Sequence, residues 1–512
     1  VQLWNANDNS IRENSVTHNR NGIEISDSCN NNISQNILYE NSLGDWWGSG
    51  DTINLDHSHN NLFFINHILN NDGNALRLYY SSNNHFIRNN ISGNARDGLN
   101  LWRSVSNTIQ DNQIENNYRG IYLGRSPYNS IVNNTLINSG LVLYGEEIDF
   151  YKQAKVMNNT VNQKPLIWWQ YVSGKTVPEA GEIILLSCSD VLIIGQNITS
   201  ASLGILTYSC SNISIYNNSI SNNTDFGVKI SDVENCTISS NNITNNGKGI
   251  YIIYYAGVRI VDNIIQNNLG RGIEVYQNER EVFEFDGHEY QLIKTHRTWS
   301  EAKADCEARG GHLVTITSQE ENDLVQSLAR GIYTWIGLTD EAVEGEWQWV
   351  TGEPLIYTNW DDGQPDDSDG EDYAEMWNGG LWNDAPTGDT LYYVCEWETI
   401  QTVQIHSSIS RNVIINNSEG IRLGNILNIL LDDNDIINNS FSGIEIEDSS
   451  VCNITNNNVI NNGRGIRLWW YSSNRIINNT LIGNGLIIEG WDSAHFNQVE
   501  IVNNSVNRKP LI

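Results

Sequence analysis

The chain is 512 residues long and sets 29 Lys and Arg against 61 Asp and Glu, a formal net charge of -32. So acidic a surface excludes nucleic-acid backbones and anionic membranes as partners, since both attract basic proteins. Its longest apolar runs, such as EIILL and VLIIG, are far too short to cross a bilayer as a helix.

From the N-terminus onward a repeat is marked by the residue preceding each Ile-x-Leu-like pair. It falls at Thr52, Ala75, Gly98, Gly120 and Gly140, then at Gly204, Gly227, Gly249 and Gly272, and resumes at Gly420, Gly443, Gly465 and Gly485. Within each run the markers lie 22 or 23 residues apart, with 20 before Gly140 and Gly485. The set from Ala75 to Gly140 recurs 345 residues later, and NNTVNQKPLI ending at Ile167 recurs as NNSVNRKPLI ending at Ile512. Gly272 and Gly420 are 148 residues apart, one coil of 23 plus an insertion of 125. The division expected is therefore a host at 1–277 and 403–512 and a guest at 278–402.

A self-similar period of this length is the signature of a solenoid, whose units bury apolar residues only by stacking on their neighbours. In GIRLWWYSSNRIINNTLIGN the apolar residues alternate over short runs, at Ile466 and Leu468, then Ile476, then Leu481. Gly, Asn and Ser separate them, which is strand and turn chemistry. Stacking such strands in register places Asn above Asn, where amides pair along the axis. The expectation is a mainly β fold, a parallel β-helix, and about fifteen coils at roughly 4.8 Å spacing give a rod on the order of 70 Å long. The Asn-x-Ile-x-x-Asn coils, with the passage NQKPLIWWQYVSGKTVPEAGEIILLSCSDVLII, resemble right-handed β-helix repeats of the NosD type in archaeal surface proteins. That resemblance implies an extracellular, cell-surface protein, and the chain reads as part of a longer secreted one because its last residues match a segment that continues with Trp168 and Trp169.

The guest has another pattern. TWSEAKADCEARGGHL and SQEENDLVQSLARG have helical spacing, whereas YTWIGLTD and LYYVCEWE read as strands, which makes an α+β domain. Between Asp340 and Asp384 it supplies Asp340, Glu344, Gln364, Asp366, Asp367, Glu371, Asp372, Asn383 and Asp384 with no Lys or Arg. Hard oxygen donors in that density suit Ca²⁺, and without a cation they repel one another. WIGL at Trp335–Leu338, QPD at Gln364–Asp366, WND at Trp382–Asp384 and the pair Cys306 and Cys395 are together similar to a C-type lectin-like domain. The resemblance implies a Cys306–Cys395 disulfide and a cis bond at Gln364–Pro365. It also implies a primary Ca²⁺ site of Gln364, Asp366, Glu371, Asn383 and Asp384, and an auxiliary site of Asp340, Glu344, Asp367 and Asp372. In that family the primary ligands also contact two vicinal sugar hydroxyls. The order Gln then Asp is similar to the galactose-type arrangement, although the following DDSDG lacks the usual aromatic, for which Trp377, from another strand, is the candidate substitute. A second disulfide found in many relatives is absent, its places being held by Tyr373 and Thr387.

Other signals are weaker. Cys188 and Cys210 fall at equivalent places in neighbouring coils, and Cys236 and Cys452 at positions where other coils carry Ile. Aromatic residues recur after the markers, at Tyr79, Tyr80, Trp102, Tyr208, Tyr254, Tyr255, Tyr276, Trp469 and Trp470, and either form a surface stripe or cap their own turns. Glycosylation sequons occur at Asn32, Asn90, Asn133, Asn158, Asn197, Asn212, Asn217, Asn222, Asn235, Asn242, Asn416, Asn438, Asn453, Asn478 and Asn503. His57, His59, His67 and His85 have no repeated spacing and read as turn or solvated residues. Three classes follow: a surface or adhesive glycoprotein displaying a lectin that binds glycans; a filament or surface-layer subunit that self-associates or forms a tandem array; and a polysaccharide lyase or epimerase. The outward row Arg77, Asn100, Tyr122, Lys229, Tyr251, Glu274, Arg422, Glu445 and Arg467 shows no carboxylate dyad and no base beside acids, so a non-enzyme is expected.

Overall fold

The computed structural model describes residues 1–511 except 42–49, 146–147, 277–281, 286, 330–331, 369, 378, 399–406, 427, 451, 473 and 490–498. The chain forms two compact units, Val1–Asn278 with Ile405–Ile512, and Glu279–Gln404. The junctions expected at 277/278 and 402/403 lie outside the described residues.

Short parallel strands in register build the first unit. Leu76, Arg77 and Leu78 stand over Ile53, Asn54 and Leu55 and under Leu99, Asn100 and Leu101. Each strand buries its alternate residues, so Ile53, Leu55, Leu76, Leu78, Leu99 and Leu101 are all fully buried. A buried Ile or Leu contributes about 1.5–3 kcal/mol, and the repeat multiplies that term coil by coil.

The abundance of Asn has a structural reason with two parts. In most Asn-Asn pairs the first residue turns the chain through the left-handed region, which Asn tolerates better than other side-chain-bearing residues; Asn133 has φ 57° and Asn478 φ 59°. The second residue, Asn134 or Asn479, is buried in an amide ladder. Asn66 is typical: its Nδ2 donates to Asn89 Oδ1 at 3.0 Å and to Ile33 O at 2.8 Å, while Asn36 Nδ2 donates to its Oδ1 at 3.0 Å. The sequons are largely by-products of this device. All fifteen lie outside the core, exposed except for the half-buried Asn90 and Asn453.

Marker glycines are needed because the coils approach closely there. A Cβ on Gly227 would lie 2.8 Å from both Gly249 O and Ile243 Cγ2.

A single continuous rod is not what forms; the solenoid has about 20 turns in two stacks. After Thr160–Val161 the chain doubles back into Lys164–Gln170, antiparallel to it, and a new parallel ladder begins with Glu182–Leu186. Alternate residues of the new strands serve two cores. Ile183, Leu185 and Ile205 join the second stack, whereas Ile184, Leu186, Leu206 and Tyr208 pack against the first. The open edge of the first stack is closed by side chains: Leu141 N–H donates to the Glu182 carboxyl at 3.0 Å and Gly140 N–H to Ser202 Oγ at 2.7 Å. Burial pushes the Glu182 pKa well above the usual carboxylate range. The marker count missed turns that lack the Ile-x-Leu signature, and no sequence period announces that one stack ends against the flank of another.

The amide ladder crosses the guest unbroken. Asn263 Nδ2 donates to Asn412 Oδ1 at 3.0 Å and Asn268 Nδ2 to Asn417 Oδ1 at 2.9 Å, each over 149 residues of chain. Val258 N–H donates to Ser407 Oγ, as Ser58 N–H does to Ser81 Oγ in an uninterrupted coil. Deleting residues 278–406, so that Gln277 joins Ser407, is therefore expected to leave a folded β-helix, because the equivalent coil closes with only His57 between Asp56 and Ser58. Circular dichroism and a thermal melt check this, and an aggregated product refutes it.

Cys188 and Cys210 are buried free thiols that replace the serine ladder, with Cys188 N–H 3.3 Å from Cys210 Sγ. Cys236 and Cys452 are buried core residues. The aromatic residues do not run as one outward stripe: Tyr255 is 7 % exposed and Tyr208 8 %. Others lie over the next coil's glycine, Trp102 on Gly124 and Tyr276 on Gly424, where a ring covers backbone that has no side chain. The side chain of Trp470 lies outside the described residues.

In the second unit, helices Trp299–Ala308 and Gln319–Ala329 pack on a sheet that contains His288–Arg297, Leu391–Glu398, Thr334–Thr339, Tyr373–Met376 and Trp382–Ala385. Thr298 and Glu301 form a capping box at the first helix. A disulfide joins Cys306 to Cys395. Trp382 is fully buried and meets Trp349, Tyr357 and Trp360 edge-on at 5.6–5.8 Å between ring centres.

Candidate functional site

Trp382–Ala385 pairs antiparallel with Tyr373–Met376, setting Asn383 opposite Glu375 and Asp384 opposite Ala374. The loop beginning at Gln364 comes alongside, since Asp367 N–H donates to Asp384 Oδ2 at 2.8 Å. Three carboxylates thus converge: oxygens of Asp366, Glu371 and Asp384 all lie within 4.8 Å of one another. Asp384 is fully buried and Asn383 nearly so, whereas Asp366 is exposed. Asp384 Oδ1 and Gln364 Oε1 are buried acceptors that receive no hydrogen bond among the described residues. An acceptor buried without a donor costs about 1–3 kcal/mol, so one on Asp384, where three carboxylates converge, and one on the loop that carries Asp366 point to a missing electropositive partner. The Gln364–Pro365 bond is cis.

The auxiliary acids gather beside it. Asp340 is 2 % exposed; its Oδ2 accepts from Gly345 N–H at 2.9 Å while its Oδ1 is a third buried acceptor that receives no hydrogen bond among the described residues. Asp340 N–H and Thr339 Oγ1 both donate to Asp372 O. Burial first, and then the charge of Asp372, push the Asp340 carboxyl above its ordinary pKa. Glu344 is raised too, by desolvation and by the charges of Asp340, Asp367 and Asp372, which brings all four predicted acids into one electrostatic group.

Glu375 was missed in the sequence. It is 7 % exposed, and burial raises its pKa. Its Oε1 accepts from Asn383 Nδ2 at 3.1 Å and from Trp377 Nε1 at 2.6 Å. Holding the amide nitrogen of Asn383 leaves Oδ1 as the free end of that side chain, and the same carboxylate fixes a partly exposed indole nearby. The only sequence signal was an acid within the apolar strand YAEM.

The outward row of the β-helix corrects another expectation, because bases do stand beside acids there. Lys248 Nζ lies 2.8 Å from Glu274, Arg422 pairs with Glu447 at 2.6 Å and Arg467 with Glu445 at 3.1 Å. Lys248 and Glu447 are outside the aligned row, whereas Glu445 and Arg467 are neighbours within it.

These features define a class: a β-helix interrupted by a C-type lectin domain. Residues 1–167 and 395–510 match the family described as periplasmic copper-binding protein (NosD), residues 172–291 match the right handed beta helix region, and residues 295–397 match the lectin C-type domain. The NosD match covers more than half of the chain, and the protein belongs to that family, with a C-type lectin domain inserted. Across 115 residues it is 41 % identical to hepatic lectin of Gallus gallus, covering 22 % of this chain and 56 % of that protein. It is 37 % identical to C-type lectin domain family 17, member A of Homo sapiens over 115 residues, 22 % of this chain and 30 % of that protein. The chain thus spans about half or less of the length of these curated relatives. Among solved structures, the cow carbohydrate-recognition domain of CD23 is 35 % identical, with a TM-score of 0.23, over 24 % of this chain and 97 % of that one.

Copper, which the family description names, does not fit the residues seen. There are two Met in the chain, and His57, His59, His67 and His85 join no group of three metal-ligating side chains among the described residues. His57 instead contacts Asp56 at 2.7 Å, and His59 Nδ1 accepts from Ser82 N–H. No helix among the described residues is long and apolar enough to cross a membrane.

Proposed function

We propose that this is an extracellular surface glycoprotein whose inserted domain binds saccharide through calcium. The observation that carries this reading is the convergence of the Asp366, Glu371 and Asp384 carboxylates, with Asp384 Oδ1 buried and receiving no hydrogen bond among the described residues, as is Gln364 Oε1 two residues before Asp366. Calcium takes six to eight oxygen ligands, and Gln364, Asp366, Glu371, Asn383 and Asp384 are the set that would hold it. Asp340, Glu344, Asp367 and Asp372 would hold a second ion. When bound, Ca²⁺ would supply the Lewis-acid centre to which two neighbouring sugar hydroxyls coordinate. The Gln364 amide would then donate to those hydroxyls and the acids accept from them, while Asn383, its nitrogen held by Glu375, would turn Oδ1 to the ion. Trp377, held by Glu375, provides an apolar wall for the sugar ring in a loop that has no aromatic of its own. The hepatic lectin relative supports a lectin role for this domain, and the Gln-then-Asp order favours galactose over mannose.

The test is a glycan array probed with the whole chain, with calcium and with chelator. Binding to galactose-terminated glycans that disappears in chelator and in Asn383→Ala is the expected result. Equal binding with and without chelator, or none in calcium, overturns the reading.

A further inference from the structure

Lys229 of the β-helix forms no ion pair among the described residues. The outward row stacks Leu206, Lys229, Tyr251, Glu274 and Arg422 in register. Glu274 is held by Lys248 and Arg271, and Arg422 by Glu447. Lys229 pairs with no carboxylate and makes no hydrogen bond among the described residues; what it does touch is the Phe226 ring, 5.5 Å from its Nζ. The nearest acid, Asp225, is taken by Arg119 at 3.3 Å. Arg119 in turn has a buried Nε with no well-aligned acceptor.

The place is formed where the two stacks meet. Leu206, one coil before Lys229, is 2 % exposed beneath the first stack. Lys229 is the first residue of the row beyond that cover, and it stays partly accessible. Arg119 reaches in from the first stack. Phe226 and Tyr251 lie 5.3 Å apart at an interplanar angle of 35°, and Lys248 Nζ is over both rings. A ring contact replaces only part of what water or a counter-ion gives an ammonium. Burial lowers the Lys229 pKa, the direction expected of such a strain. In a chain of net charge -32, a cation left unmatched beside two half-exposed rings is set up to receive a carboxylate attached to an apolar-faced ring.

We propose that Lys229, with Arg119, Phe226 and Tyr251, forms a second, calcium-independent saccharide site, specific for a sugar that bears a carboxylate. Lys229 takes the carboxylate, Phe226 and Tyr251 pack on the pyranose face, and the site acts independently of the lectin domain.

Isothermal titration of the whole chain with the trimer of galacturonic acid, in chelator, tests this. Wild type and Asp384→Asn are expected to bind alike, and Lys229→Gln to bind at least tenfold more weakly with an unchanged melting temperature. Tyr251→Leu should also weaken binding, which covers the case in which the Lys229 variant folds poorly. The proposal is overturned if wild type does not bind the trimer in chelator, if Lys229→Gln or Tyr251→Leu binds as wild type does, or if galactose trimer or acetate competes as well as the acidic trimer.

Discussion

Asp384→Asn abolishes the response of the lectin domain to calcium while leaving the domain folded. Wild type in calcium at about 100 times the dissociation constant gains about 2.7 kcal/mol, a rise on the order of 10 °C for a domain of this size. The variant is expected to melt at one temperature in calcium and in chelator. In chelator it melts no lower than wild type, because it removes one of the three carboxylates that face each other within 4.8 Å. Differential scanning calorimetry of the whole chain reads both effects. A wild-type transition unmoved by calcium refutes the metal site, and a variant that still responds refutes the role of Asp384. The comparison with Asn rather than Ala matters, since Asn keeps an oxygen able to accept from Asp367 N–H.

In the host the largest single loss is expected at the ladder residue just after the guest. Asn412→Ala removes donors to Ile260 O, Ser410 O and Asn434 Oδ1, each at 3.0 Å, and the acceptor for both Asn263 N–H and Asn263 Nδ2. Several buried groups lose partners at once, at about 1–3 kcal/mol each where no water enters, so a destabilisation of roughly 2–5 kcal/mol is expected. Asn416→Gly is the control: Asn416 is exposed at φ 55°, a conformation Gly adopts freely, and its stability should change little. The readout is the calcium-insensitive transition in the same calorimetric scans. Equal melting of the two variants would mean that apolar stacking alone holds the coils together.

Different physical rules made different parts legible in the sequence. A 22- or 23-residue period with alternating Ile and Leu is a direct consequence of parallel stacking, so the strands at Ile53, Leu76, Leu99 and Ile121 could be placed from the pattern. Local turn chemistry made the Asn-Asn pairs readable as turns. Their split into an outward left-handed residue and an inward ladder residue appears only when neighbouring coils are present to accept the amide. The aromatic residues were ambiguous for the same reason: Trp102 lies over Gly124 because the next coil has no side chain there, a fact about a residue 22 positions away.

By itself the sequence determined the β-helix class, the inserted lectin domain and the acids from Asp340 to Asp384, because each is written as a local pattern or a fixed period. Only the tertiary structure decided what depends on contacts between segments with no common period. Those are the reversal at Lys164–Gln170, the closing of the first stack's edge by Glu182 and Ser202, the Glu375 carboxylate that orients Asn383, and the unpaired Lys229 between the stacks. A repeat specifies how each coil meets the next, whereas an acid facing an amide across a hairpin, or a lysine beside another stack, is specified only by how the whole chain packs.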